Sequence, residues 1–263
     1  MNKVTRLKYY IESLCIYDFE DDDVFSALYD LLCDDEEDTV ALQSYFFKEL
    51  AKSESLKRHI SRLILTNDNI FTKAACAGKV NELSITVINA VKSDLAKLEE
   101  IASLTAQDIL ADIDDEDIKE ILLTLPGWDV GKPLAPLDSH WDRQLDELIK
   151  YHRENGYGIY AKNIAFTWRD EEITPVNSID PIRLTDLKNY ELQRNKVIDN
   201  TESFIAGHPA NNVLLYGDRG TGKSSTVHAI LNEYWQKGLR MIEIPKSAVA
   251  DLRLFVSKLP IRQ

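Results

Sequence analysis

Cysteine is scarce in this sequence. The chain holds three, Cys15, Cys33 and Cys76, an odd number without close spacing. A disulfide framework is therefore not expected, and because each lies among apolar residues on a helical pattern, all three are predicted to be buried, reduced thiols. Metal-ligand spacing is also missing: the five histidines form no His-Glu-x-x-His, and no Cys-x-x-Cys occurs, which argues against a zinc enzyme. No stretch approaches the roughly 18 uncharged apolar residues that a bilayer span requires. Residues 1 to 10 are polar and lack the apolar core of a secretory signal, so a cytoplasmic protein with no membrane partner is expected.

Positive charge is in deficit too, and unevenly. Against a total of −13, residues 1 to 180 carry 19 Lys and Arg and 36 Asp and Glu, a balance of −17, while residues 181 to 263 carry 12 and 8, a balance of +4. The runs Glu20 to Asp23, Asp34 to Asp38 and Asp114 to Asp117 would repel a phosphate backbone, so nucleic acid is not expected on residues 1 to 180. Such runs suit the solvated starts of helices, where the helix dipole favours carboxylates, or a docking face for a basic protein partner. What is present in ordinary measure, 44% hydrophobic and 29% charged residues over a length of 263, fits a globular chain of about two domains.

From Thr5 to about Leu125 apolar residues recur every three or four positions, which predicts an all-helical region. Helices are expected near 4–17, 23–33, 38–51, 54–66, 69–77, 82–103, 106–112 and 115–125. Asp38, Ser53 and Thr105 are candidate N-caps, and Gly78 can end a helix in a left-handed conformation. Residues 126 to 136 contain Pro126, Gly127, Gly131, Pro133 and Pro136, too many helix breakers for a regular element, and read as a linker or loop. One more helix comes after Asp138, through Trp141, Leu145, Leu148 and Ile149, and stops at Asn155 and Gly156. Ile159 to Trp168, a charged turn at 169–172, and Ile173 to Val176, closed by Pro175 and Asn177, then read as a β-hairpin. Gly156-Tyr157-Gly158 lacks a third glycine and precedes a strand, so it reads as a junction, and Phe166 and Trp168 read as packing residues. The boundaries expected are an acidic helical domain at 1–155, hairpin and linker at 156–180, and a nucleotide-binding region at 181–263.

The chemistry is concentrated after Asn212. Val213, Leu214, Leu215 and Tyr216 form an apolar run suited to a buried strand, and Gly217-Asp218-Arg219-Gly220-Thr221-Gly222-Lys223-Ser224 comes immediately after it. This is G-x-x-x-x-G-K-[ST] in full, and a helical pattern through Val227, Ile230, Leu231 and Tyr234 completes the strand, loop and helix context of a phosphate loop. Consecutive amides can point into one concavity only if several residues accept positive φ, which Gly217, Gly220 and Gly222 permit. The helix N-terminus adds its partial positive charge, Lys223 reaches the β- and γ-phosphates, and Ser224 ligates Mg²⁺; Gly217 through Ser225, Asp218 and Arg219 included, are the expected cofactor-binding residues of the loop. ATP and Mg²⁺ are the expected cofactors.

Three stretches resemble an uncharacterised bacterial family of AAA-type ATP-binding proteins, known as a domain of unknown function. They are Asp180 to Leu187 (DPIRLTDL), Asn200 to Phe204 (NTESF) and Pro209 to Ser225, with Gly238-Leu239-Arg240 and a strand at Met241 to Ile244 continuing the likeness. It covers the chain from about Gly156 onward. With the all-helical N-terminal domain and the β-hairpin read from the residue pattern, the resemblance, which implies the start of an AAA-type P-loop domain, gives an expected fold class of α with α/β. It also implies that Leu187 and Tyr190 line the adenine pocket, that the full-length form is an ATPase that remodels or moves a bound partner, and that ring or other homo-oligomer assembly occurs. The pattern departs from the family in one respect: no apolar run ending in Asp-Asp or Asp-Glu occurs after Ser224, and 213–216 and 241–244 would lack the strands between them in a 5-1-4-3-2 sheet. A chain cut short after its second core strand, binding ATP but deficient in hydrolysis, is the expectation. Two alternatives are a P-loop kinase of a small molecule and a helical adaptor with a vestigial phosphate loop.

Overall fold

Periodic apolar residues and local caps build the first unit. The computed structural model describes residues 1–34, 38–53, 55–176 and 178–259. The middle of the Asp34 to Asp38 run, the start of the helix expected at 54, and the strand stop at Asn177 lie outside the described residues. The chain divides into two compact units, residues 1–153 and 154–261. The first contains α1 (Lys3–Glu12), α2 (Asp23–Cys33), α3 (Thr39–Leu50), α4 (Leu56–Leu65), α5 (Ile70–Cys76), α6 (Ile85–Ile101), α7 (Ala106–Leu110), α8 (Glu116–Thr124) and most of α9 (Leu145–Asn155), which comes after a 3₁₀ turn at Trp141–Arg143. Leu7, Leu28, Phe46, Ile60, Leu95 and Trp141 are among the fully buried side chains of its core. The second contains α10 (Gly158–Lys162), β1 (Ala165–Arg169), β2 (Glu172–Pro175), α11 (Glu191–Ile205), α12 (Lys223–Tyr234), β3 (Met241–Glu243) and α13 (Leu252–Lys258). The protein is mostly helical with one small mixed sheet, and no described helix is long and apolar enough to cross a membrane.

Several expectations for the first unit are corrected by long-range contacts. α1 stops at Glu12 rather than 17 because the buried Asp94 carboxylate accepts the amides of Cys15, Ile16 and Tyr17 at 2.9, 2.7 and 3.3 Å. That competing acceptor ends the helix and leaves Cys15 exposed, while Cys33 is half-buried and Cys76 buried; all three are free thiols. Thr105 does cap α7, in a capping box with Asp108, and Gly78 is left-handed at φ +72°. Asp38 makes no side-chain cap bond; Asp34 accepts from the Asp38 amide and the Thr39 hydroxyl instead. Ser53 does not cap α4 either. The loop at 126–136 supplies that service: the Leu56 and Lys57 amides donate to the carbonyls of Asp129 and Val130 at 3.0 and 2.9 Å. Gly131 permits this approach, since a Cβ there would lie 2.1 Å from Ser55 Oγ.

The freed Ser53 hydroxyl lies 2.8 Å from His59 Nδ1, and His59 Nε2 lies 2.7 Å from Asp22 Oδ1. Asp22 also caps α2, accepting the Phe25 amide at 2.9 Å. One carboxylate thus ties the start of α2 to the start of α4.

In the second unit, β1 and β2 form an antiparallel hairpin with Trp168 opposite Ile173 and Arg169 opposite Glu172. Asp170 and Glu171, both at positive φ, make the two-residue turn. β3 lies parallel to β1 on its other side, giving the order β2-β1-β3, so 241–243 pairs with the hairpin and does not stand alone. Ala165, Phe166 and Trp168 are buried, with Trp168 against Phe255 and Phe166 against Tyr160. Residues 159–162, expected as part of the first strand, lie instead in α10. Arg240 enforces this, donating to the carbonyls of Asn155 and Tyr160 at 3.2 and 3.1 Å, where Gly156 and Gly158 turn the chain at positive φ.

Burial pushes the Asp22 carboxyl up, but the hydrogen bonds from His59 and from the Phe25 and Val24 amides outweigh it and leave it below the ordinary carboxylate value. Its stabilisation is therefore complete above the unfolded value of about 4 and lost as pH falls through the lower folded value. Asp22→Ala is expected to cost about 1–3 kcal/mol at neutral pH and to flatten the acid limb, measured by urea unfolding between pH 7 and pH 2.

Candidate functional site

A glycine-rich turn cannot fill its own backbone bonding capacity, and the segment before α12 leaves a run of its donors unsatisfied. Gly217, Gly220 and Gly222 take φ of +140°, +80° and +80°, and Gly222 is the N-cap of α12. Among the described residues, no acceptor takes the amides from Gly220 through Ser225; the first engaged is Thr226, which donates to the Gly222 carbonyl at 2.8 Å. Six consecutive donors therefore sit free at a helix N-terminus, the condition for anion binding. The Lys223 ammonium folds back over the loop and donates to the carbonyls of Gly217 and Asp218 at 2.9 and 2.6 Å and to Thr221 Oγ1 at 3.2 Å. Thr221 in turn donates to the Asp218 carbonyl at 2.9 Å.

A cavity of about 280 Å³ opens beside this loop. Leu187, Tyr190, Gly217, Asp218, Thr221, Gly222 and Lys223 line it, so the two residues named from resemblance and most of the motif share one wall system. Arg219, Gly220, Ser224 and Ser225 do not line it; Arg219, Gly220 and Ser224 are exposed and Ser225 is half-buried beside the loop. Tyr190 and Asn189 both take left-handed backbone conformations, at φ +54° and +65°, which swing the chain into α11.

Sequence reasoning did not single out Gln193, Arg194, Val197 or Thr226, which also line the cavity. Tyr190, Gln193, Arg194 and Val197 share one face of α11, a helix that no apolar periodicity marks in the sequence. Arg194 donates to the Leu187 carbonyl at 2.7 Å, fixing the segment that carries Leu187. The Asn200 side chain forms a two-way pair with the Asn211 backbone, both bonds 2.8 Å, and Asn232 on α12 donates to the carbonyls of Asp180 and Ile182. Tyr234 donates to Glu202 at 2.8 Å; burial and that carboxylate push its hydroxyl up to about 12. α11 and α12 are thereby tied to each other and to the loop.

One expectation fails here. Residues 213–216 are not a buried strand: among the described residues nothing pairs with their backbone, and Leu214 and Tyr216 are 83% and 88% exposed. An apolar run of four residues becomes a strand only when neighbours accept its amides and cover its faces, and β1 and β3 pair elsewhere. No group of three or more His, Cys, Asp or Glu side chains converges among the described residues.

Residues 161–263 match the model of a family described as Protein of unknown function (DUF815). The matched segment begins inside α10 and takes in the hairpin, the loop and β3. This part of the chain is thus similar to an uncharacterised family whose function is unknown. No curated protein and no solved structure matches the chain.

At Gly220 and Gly222 an added Cβ would meet no atom within 4 Å, so substitution costs conformation alone. Gly220→Ala or Gly222→Ala is expected to weaken binding of inorganic triphosphate about tenfold by calorimetry, from about 1–2 kcal/mol of left-handed strain. Gly207→Ala, with the same φ sign and the same open space away from the loop, should leave that affinity unchanged.

Proposed function

We propose that the second unit is an AAA-type P-loop nucleotide-binding region that takes ATP as its Mg²⁺ complex. The observation that carries this reading is the run of free amides from Gly220 to Ser225 under a lysine whose ammonium is held only by loop carbonyls and a hydroxyl. Lys223 exchanges those neutral acceptors for β- and γ-phosphate oxygens, a stronger charge-assisted set. The amides would donate to the remaining phosphate oxygens without rearranging the loop, because the glycines already hold it open. The residue type also suits the metal: Ser224 is exposed on the first turn of α12, has no partner among the described residues, and would offer its hydroxyl to Mg²⁺. The cavity between Leu187, Tyr190 and Val197 offers apolar surface for the base beside the phosphate site. In an AAA cycle this binding would drive movement of a bound partner, with assembly into homo-oligomers.

Hydrolysis needs more than phosphate binding: a carboxylate must position or activate water. Among the described residues that line the cavity, Asp218 is the only acid, and its carbonyl rather than its carboxylate is what engages Lys223. Binding with little turnover is the result proposed for this chain.

A fluorescent ATP analogue is expected to bind in a Mg²⁺-dependent way, with ATP competing better than GTP. Lys223→Ala should weaken binding about 10- to 100-fold through loss of charge-assisted hydrogen bonds. Steady-state phosphate release should be near background and insensitive to Lys223→Ala; a rate that the substitution abolishes would overturn the proposed deficiency in turnover.

A further inference from the structure

The first unit has a groove of its own. Where α1 ends at Glu12 the chain folds back over residues 13–20 into α2, and a cavity of about 630 Å³ lies between these elements. Its apolar lining is Ile11, Leu14 and Ile16, each half-buried, with Phe19 and Phe25 buried beneath them. Its polar rim is acidic: Glu12, Asp18, Glu20 and Asp30 are all exposed, and no lysine or arginine lines the cavity.

Elsewhere on this unit some acids pair with cations, as Asp108 does with Lys3, Glu100 with Arg6, Asp68 with Lys73 and Glu116 with Lys119. None of the four rim carboxylates has an ion pair among the described residues. Asp18 serves the Glu20 amide and Glu12 accepts from the Tyr29 hydroxyl, both neutral donors. The groove is also held open. The three amides bound by Asp94, together with Lys97 donating to the Ser13 carbonyl at 2.7 Å, fix residues 13–17 as one wall, from which Leu14 and Ile16 pack one side on the core and leave the other half-exposed.

We propose that this groove docks a basic amphipathic segment of a protein partner, with aliphatic side chains on the floor and lysine or arginine on the rim. Charge complementarity selects the occupant: an acidic rim repels anionic lipid and nucleic acid and attracts a cationic peptide, while the apolar floor favours one whose other face is aliphatic. The inference concerns the first unit alone and is independent of nucleotide binding.

Cys15 is a built-in reporter, because it is exposed and lines the groove. The full chain is mixed with an amphipathic Leu/Lys peptide of about eighteen residues, five helical turns, or with its Leu/Glu counterpart. Alkylation of Cys15 by iodoacetamide is monitored by peptide mapping, and affinity by fluorescence anisotropy. The Leu/Lys peptide is expected to slow Cys15 alkylation severalfold and the Leu/Glu peptide to leave it unchanged. The triple change Glu12→Gln, Glu20→Gln, Asp30→Asn should weaken Leu/Lys binding about tenfold, and the charge-matched control Glu116→Gln, Asp117→Asn, Glu120→Gln on α8 should not. Leu14→Ser, which keeps every charge, should also weaken it. Equal weakening by both triples, or an unprotected Cys15 at saturating peptide, overturns the proposal. If the groove triple fails to fold by circular dichroism, Cys15 protection in the unaltered chain decides alone.

Discussion

In the second unit, α11, α12 and the loop between them surround backbone amides that have no acceptor among the described residues. A loop whose donors from 220 to 225 are all free is unfavourable unless water or a ligand satisfies it, and the chain offers only a partial remedy in the Lys223 ammonium, which ties down two carbonyls of the same loop. Three glycines at positive φ make the curvature possible. α12 gives the loop a fixed end through its buried Ala229, Ile230 and Leu231, and Asn232 and Tyr234 carry that fixity to the 180–182 segment and to α11. The cavity exists because these ties hold α11 beside the loop.

The first unit obeys a different logic, in which buried or half-buried carboxylates organise irregular backbone. Asp94 ends a helix and fixes a loop, and Asp22 caps one helix while reaching, through His59, to the start of another. In both cases one side chain does what a run of local hydrogen bonds does elsewhere, so the acidic character of this unit is partly structural. The rim of the groove adds exposed acid that no cation among the described residues pairs with.

How much of this was legible in the sequence depended on the range of the interactions. The helices of the first unit were readable because the signal for each is local: an apolar stripe such as Leu56, Ile60 and Ile64 and, in places, a cap such as Thr105 with Asp108. The loop motif was readable because glycine, lysine and serine at fixed spacing have few other reasons to occur together. The end of α1 was not, since the carboxylate that stops it lies 77 to 79 positions away. Nor was the parallel pairing of Ala165 with Met241, which no periodicity encodes, or the failure of 213–216 to form a strand, which depends on neighbours rather than on its own composition. α11 escaped periodicity because none of its residues is buried, and with it went Arg194 and Val197.

The Asn200 to Asn211 pair gives α11 a mechanical meaning. A helix is stiff along its axis, and about 15 Å separates Tyr190 at the cavity from Asn200, whose amide grips the chain just ahead of Val213. Should a ligand load the Tyr190 end of that rod, the pull at its far end would fall on the segment that leads to Gly217. The exposed run 213–216 is the stretch of chain that joins that grip to the loop.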